Sequence, residues 1–119
     1  MDFPVYLFTG FLESGKTKFI QETLEDERFN SGERTLLILC EEGEKEYNPS
    51  EFAGQNVFLE TIEDQKDLTN ANIIALQKKH KAVRAVIEYN GMWPIKVLDD
   101  ALPTNWKIYQ QMFFADSNT

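Results

Sequence analysis

Cysteine is almost missing from this chain. A single thiol, Cys40, among 119 residues excludes an intrachain disulfide and any structural zinc site built from cysteines. Long apolar runs are missing as well. The first residues, Met1-Asp2-Phe3-Pro4, carry no basic segment, and no extended apolar stretch follows. Neither a secretory leader nor a membrane-spanning helix is expected, and a soluble cytoplasmic protein is the default expectation. Positive charge is scarce: 12 Lys and Arg stand against 20 Asp and Glu, a formal net charge of -8. A broad nucleic-acid surface needs clustered basic side chains, so this balance argues against one. It does not exclude a nucleotide, because a phosphate site uses backbone N–H groups and one well-placed Lys rather than bulk charge. Internal repeats and low-complexity segments are also absent.

What is present suits one folded domain. Apolar residues make up 42% of the chain, enough for a core at this length. Val5 to Phe8 reads as a short buried strand, followed by a Gly-containing turn and a helix from Lys16 to about Phe29. Phe19, Ile20, Thr23 and Leu24 share one face of that helix, and Asn30-Ser31-Gly32 ends it. Thr35 to Cys40 is a continuous apolar run, as expected of a parallel strand covered on both faces. The acidic stretch Glu41 to Glu51 reads as an exposed loop. Val57 to Thr61 reads as a strand, and Asp64 to about His80 as a helix with Lys78, Lys79 and Lys81 at its carboxyl end. Ala82 to Glu88 is a further strand. Pro94 opens a short helix that Pro103 stops, and Ile108 to Ala115 is the last strand. The alternation predicts a doubly wound, mostly parallel α/β sheet with flanking helices, built from right-handed crossovers. His80, among lysines, reads as a surface residue, and Cys40 as a packing residue.

One segment carries chemistry. Gly10-Phe11-Leu12-Glu13-Ser14-Gly15-Lys16-Thr17 fits the spacing G-x-x-x-x-G-K-[ST] of a phosphate-binding loop, with an apolar strand before it and an amphipathic helix after it. Gly10 and Gly15 let the backbone curl so that its N–H groups, from Glu13, Ser14 and on to Lys18, point at phosphate oxygens. The helix presents its positive end to the same anion. Lys16 is expected to reach the β- and γ-phosphates and the Thr17 hydroxyl to bind Mg²⁺. A plain Gly-rich strand–helix turn would explain the glycines but not Lys followed by Thr.

Such a loop calls for an acid beside the metal. Glu88 ends the apolar run Ala85-Val86-Ile87, where a strand's carboxyl end faces the ligand crevice of an open sheet. It is the candidate metal group, acting through water, and Gly91 is a candidate N–H donor to the γ-phosphate. Glu41 follows the strand ending at Cys40 and is a second candidate near the metal or the attacking water. For Glu41 a solvated acidic loop is an equal reading, and for Glu42 and Glu44 the preferred one.

These residues resemble a family. Pro4-Val5-Tyr6-Leu7-Phe8-Thr9-Gly10-Phe11-Leu12 with Gly15-Lys16-Thr17 is similar to the start of CobW-type GTPases, in the wider group that includes HypB and UreG. Glu41-Glu42-Gly43-Glu44 resembles the family's Asn-Glu-x-Gly-Glu stretch, with Cys40 in place of Asn. Glu88-Tyr89-Asn90-Gly91 before Pro94 resembles its Glu-x-x-Gly segment. The resemblance implies GTP binding with Mg²⁺, slow hydrolysis, and a role with a client metalloprotein or in cofactor-enzyme maturation. Three departures stand out. Glu13-Ser14 replaces the usual Gly-Ala. The Cys-x-Cys-Cys metal motif has no counterpart, and Glu63 to Leu68 falls roughly where it would stand. The guanine-reading Asn-Lys-x-Asp motif is absent from these 119 residues, so residues 1–119 are expected to be the N-terminal portion of a larger GTPase domain. A sheet edge left uncovered would favour self-association. Without that motif GTP and ATP remain alternatives. So do a P-loop kinase, for which only Arg28, Arg34 and Arg84 are on hand, and a module that binds nucleotide or a protein partner without turnover.

Overall fold

In the computed structural model, strand and helix alternate: β1 (Phe3–Gly10), α1 (Lys16–Glu25), β2 (Thr35–Cys40), β3 (Val57–Thr61), a 3₁₀ turn (Gln65–Asp67), α2 (Asn70–His80), β4 (Arg84–Asn90), α3 (Ile95–Ala101) and β5 (Trp106–Phe114). The structure describes residues 2–10, 16–30, 32–40, 52 and 56–114. The strands form a five-stranded sheet in the order β3-β2-β4-β1-β5. Every neighbouring pair is parallel, so the α/β architecture expected from the alternation is present.

A parallel sheet survives only with both faces covered, and the side chains divide accordingly. Val5 and Leu7 of β1, Leu36 and Ile38 of β2, and Ala85 and Ile87 of β4 pack with Ile73 of α2 and Leu98 of α3. Phe8, Leu37, Leu39 and Val86, the alternate residues, pack with Ile20 and Leu24 of α1. Each fully buried Leu or Ile contributes about 1.5–3 kcal/mol relative to exposure. The connection from β1 to β2 steps toward the β3 edge, whereas those from β3 to β4 and from β4 to β5 step back. Right-handed crossovers therefore put α1 on one face and α2 and α3 on the other.

Several boundaries differ from the sequence expectations. Helix α1 stops at Glu25, short of Phe29. The side-chain amide of Asn30 donates to the Leu24 carbonyl at 3.1 Å, and the Phe29 N–H donates to Asp26 at 3.1 Å, which turns the chain out of the helix. The segment from Asp64 is not one helix. Asp64 accepts from the Lys66 N–H and caps the 3₁₀ turn, then Thr69 accepts from the Asn72 N–H and caps α2 afresh. Strand β4 starts at Arg84 and runs on to Asn90, because β1 continues beside it, Thr9 opposite Tyr89 and Gly10 opposite Asn90.

His80 is half-buried rather than an open surface residue. Its ring stacks on Phe58 at 4.8 Å and is hydrogen-bonded to Glu60. The preceding turns of α2 bring it over β3, a contact invisible in local sequence. Cys40 is buried, as expected. Among the described strands β5 lies at one edge of the sheet, with Ile108, Tyr109 and Phe113 exposed. No helix among the described residues is long and apolar enough to cross a membrane.

Candidate functional site

The topology marks one crevice. From β1 the chain leaves over one face through α1, and from β4 it leaves over the other through α3. Strands β1 and β4 are neighbours, so their carboxyl ends open a gap where the helices diverge. In open α/β sheets ligands bind at such a switch point.

Gly10 ends β1 at this gap. Its φ is 143°, a conformation that favours glycine. Helix α1 begins at Lys16, so the segment Gly10 to Thr17 spans the carboxyl end of β1 and the amino end of α1. Lys16 and Thr17 lie in the first turn of α1, and Lys18 is exposed on the same helix. Glu13, Ser14, Gly15 and Glu41 lie outside the described residues. Cys40, which precedes Glu41, pairs with Tyr89 next to Glu88.

Glu88 lies inside β4 rather than at its end. It is fully buried, with Phe8 of β1 and Leu39 of β2 as its register partners. Both belong to the α1 face, and alternation assigns Glu88 to that face too. A carboxylate buried there stands two residue pairs short of the strand ends, Thr9 with Tyr89 and Gly10 with Asn90, on the side of the helix that starts at Lys16. A hard oxygen donor of this kind suits Mg²⁺, which takes one or two protein carboxylates and completes its shell with water and substrate phosphates. Among the described residues no group of three or more His, Cys, Asp or Glu side chains could hold a metal ion.

Gly91 follows directly. Its N–H, expected to meet a γ-phosphate, donates to the Gly10 carbonyl at 2.9 Å. A phosphate contact would exchange that bond. A Cβ at residue 91 would stand 2.6 Å from the same oxygen. The turn after β4 is held by side chains as well. Asn90 Oδ1 accepts from the Met92 N–H at 2.8 Å, and the Tyr89 hydroxyl donates to the Pro94 carbonyl at 2.6 Å. The Tyr89 ring meets Trp93 edge-on at 6.0 Å. Burial pushes the Tyr89 hydroxyl up to about 12. Sequence reasoning missed Tyr89 and Trp93, although Asn90-Gly91 is a turn signal that marks where a conformation is being enforced.

On the α3 side of the gap is a cavity of about 260 Å³, lined by Thr9, Tyr89, Asn90, Trp93, Gln111 and Phe113 among others, none of them charged. A second hollow of similar size lies between β3 and α2, with Glu60, Glu63 and Asp67 on its walls. Three carboxylates make it unsuited to an anion. No family model, curated protein or solved structure matches this chain.

Proposed function

We propose that this chain is a nucleotide-binding domain of P-loop type that takes a Mg²⁺–nucleoside triphosphate and, as the resemblance to CobW-type GTPases suggests, hydrolyses GTP slowly in the service of metal-protein or cofactor-enzyme maturation. The observation that carries the reading is a coincidence of sequence and position. The complete G-x-x-x-x-G-K-T spacing joins β1 to α1 at the switch point of the sheet, beside a fully buried carboxylate on the neighbouring strand. In this reading the backbone N–H groups from Gly10 to Lys18 and the Lys16 ammonium hold the phosphates. The Thr17 hydroxyl and Glu88 hold Mg²⁺, and Glu41 orients the attacking water.

The kinase alternative loses ground on the arginines. A lid that clamps a transferred phosphoryl group draws on arginines near the phosphates. Arg34 and Arg84 stand at the amino ends of β2 and β4, where Arg84 stacks on Phe29 at 4.2 Å, and Arg28 pairs with Asp26 in the turn before β2. All three are at the opposite end of the sheet from Gly10.

Titration calorimetry with Mg²⁺–GTP and Mg²⁺–ATP tests the proposal. Binding that is lost in Lys16→Ala while the circular dichroism and unfolding curve are retained is the expected result. Equal affinity in parent and variant would overturn it.

A further inference from the structure

Strands of a parallel sheet are ordinarily covered on both faces, yet β5 is open on three sides. Its outer edge has no strand partner among the described residues, so alternate residues direct backbone N–H and C=O groups away from the sheet. Its faces are bare as well. Tyr109 is 58% and Phe113 66% exposed, and Lys107, Ile108, Gln110 and Gln111 are exposed with them. The other edge differs, because Val57, Phe58, Leu59 and Glu60 of β3 are half-buried. Charge narrows what covers β5. The chain carries a formal net charge of -8, but β5 contains no acid and one base, Lys107. Two copies of an acidic chain meeting along β5 bring no carboxylates of that strand together.

We propose that β5 is the docking surface for a second copy of this chain, residues 110–114 pairing antiparallel with the same residues of the copy so that two sheets become one. The register selects this stretch. Against β1 the pairing shifts between Ile108 and Gln110, and the irregularity at Tyr109 interrupts the edge. From Gln110 to Phe114 it is regular, opposite Tyr6 to Gly10 in turn, and about five residues is a common strand length. Met112 is the middle residue. A twofold axis there sets Gln111 of each copy opposite Phe113 of the other, a self-complementary contact. Both side chains lie on the α3 face, since their register partners are Leu7 and Thr9, of which Leu7 packs in the core on that face. Gln111 and Phe113 also line the uncharged cavity in the α3 half of the crevice, with Tyr89 and Trp93. Phe113 of the second copy therefore comes to the β5 rim of that cavity, as an aromatic anchor beside an apolar pocket.

Sedimentation equilibrium from about 1 μM to 1 mM, without nucleotide, tests the proposal on the whole chain and on Gln111→Lys, Phe113→Lys and Val83→Lys. All three substituted residues are exposed, and far-UV circular dichroism checks that the variants keep the fold. Val83 precedes β4 at the far end of the sheet from Phe113, so Val83→Lys adds the same charge away from the edge. The expected result is a parent that is dimeric at the top of the range. Gln111→Lys and Phe113→Lys raise its dissociation constant by about tenfold or more, because a lysine in the paired stretch blocks edge-to-edge contact. Val83→Lys dimerises as the parent does. A parent that stays monomeric at about 1 mM would overturn the second copy as occupant and leave the edge to a strand of a different chain. Equal dimerisation in all four proteins would place the contact elsewhere and overturn β5 as the interface. Assemblies that grow beyond the dimer would contradict a closed twofold contact.

Discussion

The Gly91 N–H donates to the Gly10 carbonyl across 2.9 Å, and a Cβ at residue 91 would stand 2.6 Å from that same oxygen. The end of β1 and the turn after β4 meet this closely only because residue 91 has no side chain. The contact also joins the first residue of the Gly-rich segment to the turn held by Asn90 and Tyr89.

Gly91→Ala is therefore expected to drive the turn away from Gly10. Forcing one methyl group into backbone contact costs about 1–3 kcal/mol. The shift would also weaken Mg²⁺–nucleotide binding, since the start of the phosphate-binding segment moves with it. Urea unfolding and calorimetry measure the two effects. Parental stability in the variant would show that the turn absorbs the methyl group without strain.

Glu88→Gln separates metal binding from packing. Glutamine keeps the shape of the side chain in its fully buried position and replaces one carboxylate oxygen, the metal donor, by an NH2 group. If Glu88 serves Mg²⁺, the Mg²⁺ dependence of nucleotide binding falls by about tenfold or more while unfolding shifts by no more than about 1–2 kcal/mol. The reverse pattern, with stability collapsed and the Mg²⁺ dependence intact, would make Glu88 a structural acid.

The elements legible in the sequence are those whose signal is local. Thr35–Cys40 buries all six residues, and its apolar run says so without help from tertiary structure. The Gly10 to Thr17 segment is a fixed spacing between a strand and a helix. What escaped the sequence depends on residues far apart. The two additional residues of β4 exist because Thr9 and Gly10 pair with them. His80 was grouped with its lysine neighbours, yet its surroundings come from Phe58 and Glu60 on β3. The break before α2 was readable in principle. Asp64 and Thr69 are both capping residues, and two caps five positions apart compete with a single continuous helix. The α3 half of the crevice had no sequence signature, because it joins side chains from β1, β4 and β5 that only the sheet order brings together.

The cluster at Glu60 predicts an acid-sensitive fold. Burial raises the affinity of this carboxyl for its proton. Hydrogen bonds from His80 and Lys79 outweigh that and hold it below its ordinary 4.5. A depressed carboxylate contributes stability that is present above its unfolded value and is lost as pH falls through the folded one. The loss thus begins below about pH 4.5. Glu60→Gln is expected to be less stable than the parent by about 1 kcal/mol at pH 6, and the gap is smaller at pH 3, below the unfolded value. Urea midpoints at the two pH values check it. A gap independent of pH would mean that the charge of Glu60 contributes nothing.

Tyr89 sets the opposite limb. Its hydroxyl is buried against the start of α3 and donates to the Pro94 carbonyl, and it is pushed from 10.0 up to about 12, burial being the main cause. Because the folded value lies above the unfolded one, the neutral form is favoured in the fold. Its contribution is complete below pH 10 and is lost as pH rises from 10 toward 12. One pKa unit corresponds to about 1.4 kcal/mol, so roughly that much is lost by pH 11. Tyr89→Phe removes both the hydrogen bond and the titration. At pH 8 it should be less stable than the parent by about 1 kcal/mol, the worth of one buried hydrogen bond. Whatever else changes with alkaline pH is common to both proteins and cancels in the difference. By pH 11 the parent has surrendered its advantage and the two unfolding curves should nearly coincide. The same substitution loosens the turn that holds Gly91 against Gly10, so nucleotide affinity at pH 8 should fall with stability. A gap of constant size from pH 8 to pH 11 would show that the Tyr89 hydroxyl ionises as readily in the fold as outside it.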